Sequence, residues 1–190
     1  MTDKRELTTT EFIILGLLST GPQTGYTIIQ TLGDHANGWR TSAGSIYPAL
    51  RRLEQRGIIE GTVEAVHTRL RRTYRITTDG EAVLDAWLKG PFTNDEMLNQ
   101  REIPLIKFLF AEQRLSREDI LSWLDAYETQ MQSYSKLHRF WHNAQLSVST
   151  THQQLLLEAT DMELEMQQGW VQRARARLAA EYQSDSLVVY

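Results

Sequence analysis

The apolar positions of this 190-residue chain change their period along its length. From Thr8 or Thr9, both good helix N-caps, Phe12, Ile13, Leu15, Leu17 and Leu18 are apolar on more than one face and stop at Ser19 to Pro22. A helix so short and so apolar must pack against two neighbours, one of which can lie on another chain. A second helix is expected after Gly21 and Pro22, capped by Thr24 and burying Tyr26, Ile28, Ile29 and Leu32 before Gly33. A third carries Ile46, Leu50 and Leu53 on one face and ends at Gly57, the residue type that stops helices by adopting positive φ. The pattern then becomes that of strands: Ile58 to Val66 and Arg71 to Thr77, with His67, Thr68, Arg69 and Leu70 as the turn between them. Thr78, with Glu81 three residues later, forms a capping box for a helix that buries Ala82, Val83, Ala86, Trp87 and Leu88.

Lys89 to Asn94, with Gly90 and Pro91, breaks that helix, and a domain boundary is expected there. Beyond it Ile103 to Phe110 is a strongly apolar run with Pro104 in an early helical turn, and Ser116 with Glu118 and Asp119 opens a long helix. In that helix Ile120, Leu124, Tyr127, Met131, Tyr134, His138 and Trp141 follow at alternating steps of four and three, a heptad seam. A second long helix, from about His152 to Tyr182, repeats the steps with Leu155, Ala159, Met162, Met166 and Gly169. Leu157, Leu164, Val171 and Leu178 mark another stripe on it. Two stripes imply two partners: an antiparallel hairpin burying one leaves the other for a second subunit, so a homodimer completes the pattern. The expected organisation is a first domain over 1–90, a helical domain over 91–182 and a tail over 183–190.

Charge changes the picture in one segment. Composition is ordinary for a globular protein, 41% hydrophobic and 23% charged, and the net charge is −4. Yet Arg40 to Arg75 holds eight arginines against three glutamates, which points to a polyanion; the excess acid belongs to the second half. A helix feeding a basic two-stranded ribbon is the plan of a winged helix-turn-helix. The fold class is therefore mostly α with a small β wing (α+β), followed by a helical domain with two long antiparallel helices. Both Ser42 and Ser45 are able to cap the recognition helix; Pro48 is comfortable if Ser45 is the cap, and distorts the helix near Gly44 if Ser42 is. In either case Ser45, Tyr47, Pro48, Arg51 and Arg52 point away from the apolar face. Strand alternation sends Arg71 and Arg72 to opposite faces, so one of them, Arg71 nearer the tip, is expected on DNA.

Four pieces carry a close resemblance to the DNA-binding domain of the PadR family of bacterial transcriptional regulators. They are TEFIILGLLSTGPQTGYTI, SIYPALRRLEQRGIIE, RRTYRIT and TDGEAVLDAWL, in the expected order and spacing. The second half looks like the C-terminal dimerisation region of the longer members, by pattern more than by motif. The wing departs from the family, since AVHTRLRRTY has no glycine or proline for a tight turn, and a longer ribbon or a looser turn is expected. The resemblance implies a dimer presenting two recognition helices to successive major grooves of a palindromic operator in double-stranded DNA. It assigns DNA contacts to Thr24, Ser42, Ser45, Tyr47, Pro48, Arg51, Arg52, His67, Thr68, Arg69, Arg71 and Arg72. It also implies repression relieved by a small-molecule effector, aromatic or phenolic, with Trp123, Tyr127, Tyr134 and Trp141 as its candidate lining, although aromatics at helical spacing are more often core.

Other chemistry has little support. His138 and His142 stand four apart on a helix, a spacing used for metals, but no third ligand is evident nearby, and His138 reads better as a polar seam residue fixing register. No cofactor is implied, and no glycine-rich phosphate loop, cysteine nucleophile or Ser, His and acid grouping suggests an enzyme. Without cysteine, a signal-peptide core or a long apolar run, a cytoplasmic location with no membrane association is expected. The competing class is a helical protein-interaction adaptor that uses the winged platform without specific DNA binding.

Overall fold

A computed structural model describes residues 6–34, 43–66, 69–93, 96, 100, 102–145 and 149–187. It divides into two compact units, 1–90 and 91–190.

In the first unit, α1 (Thr9–Ser19) starts at a capping box: Thr8 accepts from the Glu11 N–H, and the Glu11 carboxylate accepts from the Thr8 N–H. Its apolar faces meet α3 (Ala43–Gln55), α4 (Thr78–Lys89) and β3 (Arg69–Ile76), so its neighbours are supplied from within the chain. Ile14, Leu15, Leu18, Ile28, Ile46, Leu50, Leu53, Leu84 and Leu88 form the core. α3 stops as the sequence predicts: Gly57, at φ 72°, donates to the Glu54 carbonyl and Ile58 to that of Leu53, a Schellman ending that turns the chain directly into β2 (Ile59–Val66).

Several local expectations are corrected. α3 begins at Ala43, which makes Ser45 its third residue rather than its cap and puts Pro48 inside the helix, where the Gly44 carbonyl receives no bond from position 48. Tyr26 is 63% exposed rather than buried, although α2 (Gly25–Asp34) does bury Ile28 and Leu32. The cap of α4 is Thr77, one residue earlier than expected; its hydroxyl oxygen accepts from the Gly80 N–H and its O–H faces the Gly57 and Ile58 carbonyls. β2 and β3 pair from Ile59↔Ile76 to Val66↔Arg69, so Arg69 and Leu70, expected in the turn, belong to β3 and the ribbon is longer at that end; His67 and Thr68 lie outside the described residues. A further strand, β1 (Gln23–Thr24), pairs with β3 and gives the order β1-β3-β2, all antiparallel.

In the second unit, α5 (Glu102–Ala111) precedes the long helices α6 (Arg117–Gln145) and α7 (Thr151–Leu187). The last two are antiparallel, as Asp125 pairs with Arg175, Tyr127 with Gln167 and His138 with Asp161. The seam is buried from Ile120 through Met131 but leaves Trp141 56% exposed. An α-helix drifts against a strict seven-residue repeat, and by its end the inward position has moved to His142. Of the two stripes on α7, Leu164 and Val171 are buried, while Leu155, Met162 and Met166 are 55%, 70% and 62% exposed. The run Ile103 to Phe110 hides one charge: Lys107, 2% exposed, reaches Glu96 at 2.9 Å and lies over the Phe92 ring.

Candidate nucleic-acid interface

The N-terminus of α2, the outer face of α3 and strand β3 frame an open groove of about 580 Å³ lined by Thr24, Gly25, Tyr26, Thr27, Gln30, Tyr47, Leu70, Arg71, Arg72 and Tyr74. Thr24 is buried: its hydroxyl oxygen accepts from the Thr27 N–H at 3.1 Å, and its backbone pairs with Thr73, so it positions α2 rather than facing outward. Gly25 is where Tyr47 crosses α2; a Cβ there would lie 2.7 Å from Cε1 of the tyrosine. Tyr47 is 43% exposed, Pro48 and Arg51 are exposed, and Ser45 is half-buried. Ser42, His67 and Thr68 lie outside the described residues, as does the side chain of Arg69.

The two pairs of adjacent arginines divide alike. Among the described residues Arg51 and Arg71 make no ion pair or hydrogen bond, whereas Arg52 and Arg72 are each held by a glutamate. Arg52 Nε donates to Glu11 at 2.7 Å, and Arg72 Nη2 to Glu54 at 2.6 Å. The Glu54 carboxylate raises the Arg72 pKa above its ordinary value, by a hydrogen bond first and by charge second. Burial alone would raise Glu11, but the Thr8 backbone N–H and Arg52 outweigh it and hold its pKa below the ordinary value. Burial raises the Tyr74 hydroxyl. Tyr26 and Gln30, joined by a 2.8 Å hydrogen bond from Gln30 Nε2, belong to the groove and escaped the sequence reading; an exposed tyrosine at helical spacing resembles a buried one, and only the polar Gln30 one turn on hinted otherwise.

In the second unit the four aromatic candidates are not gathered into one place. Trp123 and Tyr127 stack within a cluster with Phe92; Tyr134 packs on its edge beside His138; Trp141 meets Phe140 on the surface. The Trp123 indole N–H is buried with no partner among the described residues. His138 and His142 share Asp161, at 2.9 and 2.8 Å, a contact the spacing did not reveal because it comes from α7. Burial would raise that carboxyl, but the hydrogen bonds from His142 and His138 prevail and lower it. Among the described residues no three such groups converge as ligands for a metal ion.

A helix-turn-helix with an arginine-bearing third helix and a two-stranded ribbon defines the first unit as a winged helix-turn-helix, a nucleic-acid-binding class. Residues 14–86, within the first unit, match the family described as transcriptional regulator PadR-like. The transcriptional regulator Rv3488 of Mycobacterium tuberculosis (strain ATCC 25618 / H37Rv) is 42% identical over 60 residues, covering 32% of this chain and 54% of that protein, so the match spans about half the length of this curated relative. Among solved structures, Bacillus subtilis PadR in complex with operator DNA aligns over 90% of this chain and 99% of that one, with 20% identity and a TM-score of 0.45. The same protein in complex with p-coumaric acid aligns over the same shares with 19% identity and a TM-score of 0.42.

Proposed function

We propose that the chain is a cytoplasmic, homodimeric, sequence-specific transcriptional repressor, released from a palindromic operator by an aromatic or phenolic small molecule. Residues 1–90 read DNA and residues 91–182 dimerise and receive the effector. The observation that carries the DNA-reading function is a pair of exposed arginines whose side chains have no ion pair or hydrogen bond among the described residues: Arg71 on β3, which lines the open groove with Tyr26 and Tyr47, and Arg51 on α3, which carries Tyr47. An exposed charged fork of this kind is available to phosphate oxygens or to a guanine edge. The exposed Leu155, Met162 and Met166 stripe supports a second copy of the chain on α7. Two reading heads then meet half-sites about 10 base pairs apart, or a multiple of that.

Fluorescence anisotropy tests this with a duplex selected by the purified protein from a random pool and its scrambled counterpart. A repressor binds the selected duplex more tightly by about 10³-fold or more, and its affinity falls linearly in log salt. Weak binding without preference would instead indicate an adaptor. The effector function draws support from the buried Trp123 N–H, without a partner among the described residues, within the aromatic cluster. It predicts that p-coumaric acid quenches tryptophan fluorescence and loosens the bound duplex, whereas a silent titration removes phenolic acids from consideration.

A further inference from the structure

Gly57 turns α3 into the wing, and it is the covalent hinge between the recognition helix and the ribbon. On the other side of that hinge a second connection runs through space: Glu54, three residues before Gly57, reaches Arg72 on the far strand at 2.6 Å. The guanidinium also lies 5.6 Å from the centre of the Tyr74 ring, so it is held on two sides. Beneath them the strand is bare. A Cβ at Gly61 would fall 2.5 Å from Glu54 Oε1 and 2.8 Å from Arg72 Nε, so that the two side-chain ends would have to shift, and a tight 3.2 Å from Tyr74 Cε1. Glycine at this position lets the pair lie flat across the ribbon. An exposed ion pair contributes little to stability, which leaves geometry as its purpose.

We infer that Glu54 and Arg72 are positioning residues: they form a strut over Gly61 that fixes the wing at one angle to the recognition helix, so that Arg51 and Arg71 meet the same operator together. This rests on the DNA-reading function proposed above. In that case Arg72 does not neutralise a phosphate, and Glu54 is required for specificity although it never touches DNA. The competing assignment makes Arg72 a phosphate contact that Glu54 holds back.

The two are separated by anisotropy on the selected and scrambled duplexes across a salt series, using the full chain and Glu54→Gln, Arg72→Gln, the double variant and Gly61→Ala, each checked for folding by circular dichroism. The strut predicts that each single variant lowers the ratio of specific to non-specific affinity by about tenfold while the salt slope stays the same. The double variant is then no worse than either single one, because both remove one interaction. Gly61→Ala gives the same loss with every charge retained. A Glu54→Gln protein that binds all duplexes more tightly with a steeper salt slope would overturn the inference, and so would folded variants with an unchanged ratio. Failure of the parent function looks different: the unsubstituted chain itself would show no preference between duplexes, and the strut would fall with it.

Discussion

Arg52 Nε lies 2.7 Å from Oε1 of Glu11, across 41 positions of sequence, and joins the first turn of α1 to the recognition helix. The same carboxylate, in a residue only 1% exposed, accepts from the Thr8 N–H at 2.8 Å and the Thr8 hydroxyl at 3.0 Å. One side chain therefore closes a helix cap and anchors α3. Its loss leaves buried donors unsatisfied, so Glu11→Gln is expected to lower the unfolding free energy by about 1–3 kcal/mol. Arg51→Ala, which removes no ion pair or hydrogen bond among the described residues, should stay within about 0.5 kcal/mol of the unsubstituted protein in urea denaturation.

The acid limb of stability should depend on the same residue. Because the Thr8 N–H and Arg52 hold Glu11 below its ordinary value of 4.5, the folded state favours its anion. A carboxyl depressed on folding contributes stability that is fully present above its unfolded pKa and is lost as pH falls through the lower, folded value. The urea midpoint of the unsubstituted chain should therefore approach that of Glu11→Gln as pH drops below about 4.5. A constant gap between the two from neutral to acid pH would show that charge is not what Glu11 contributes.

At Gly25 a methyl group would fall 2.7 Å from Cε1 of Tyr47, and the ring would have to shift. Gly25→Ala should thus remain folded by circular dichroism yet bind the selected duplex about tenfold more weakly, since a displaced ring at the groove is equivalent to a mismatched contact. Unchanged affinity would mean that Tyr47 has freedom to spare and does not help to read the site.

What the sequence made legible follows from the range of each interaction. The cap at Thr8, the stop at Gly57 and the buried faces of α1 and α3 are set by residues within a turn or two, and their spacing announces them. The ribbon's existence was equally plain, but β1, only Gln23 and Thr24, is too short to carry a period. The partners of Arg52 and Arg72 were invisible, because Glu11 and Glu54 are linked to them by tertiary packing alone. Helical spacing shows which side chains leave the apolar face of α3, but not which of them then meet a neighbour. Asp161 and the buried Lys107 were missed for the same reason.

Arg51 and Arg52, adjacent on α3, should part company when each is replaced. Arg51 is exposed without a partner among the described residues, while Arg52 is tied to Glu11. Arg51→Ala is expected to weaken binding to all duplexes and to reduce the salt slope by about 1, the signature of a lost phosphate contact. Arg52→Ala should act mainly on stability, and Arg173→Ala, whose guanidinium bonds the Gly169 carbonyl on α7, on neither. Equal losses of affinity from Arg51→Ala and Arg173→Ala would contradict the assigned groove face.

The dimer can be tested on the stripe that the hairpin leaves outside. Met162 and Met166, 70% and 62% exposed, lie one turn apart on α7, whereas Leu164 and Val171 face the core of the second unit. Charges at the two methionines cost the single chain little, because both side chains already meet solvent, but at a dimer interface they would be buried without partners. The double substitution Met162→Glu and Met166→Glu should therefore leave the melting profile of the monomeric unit near its original shape. It should convert the sedimenting species from dimer to monomer and weaken operator binding by about 10²-fold or more, as two linked reading heads become one. Truncation after Gly90 should likewise give a folded, mostly monomeric domain. If both proteins still sediment as dimers, the contact between copies belongs to the first unit, with α1 the foremost candidate.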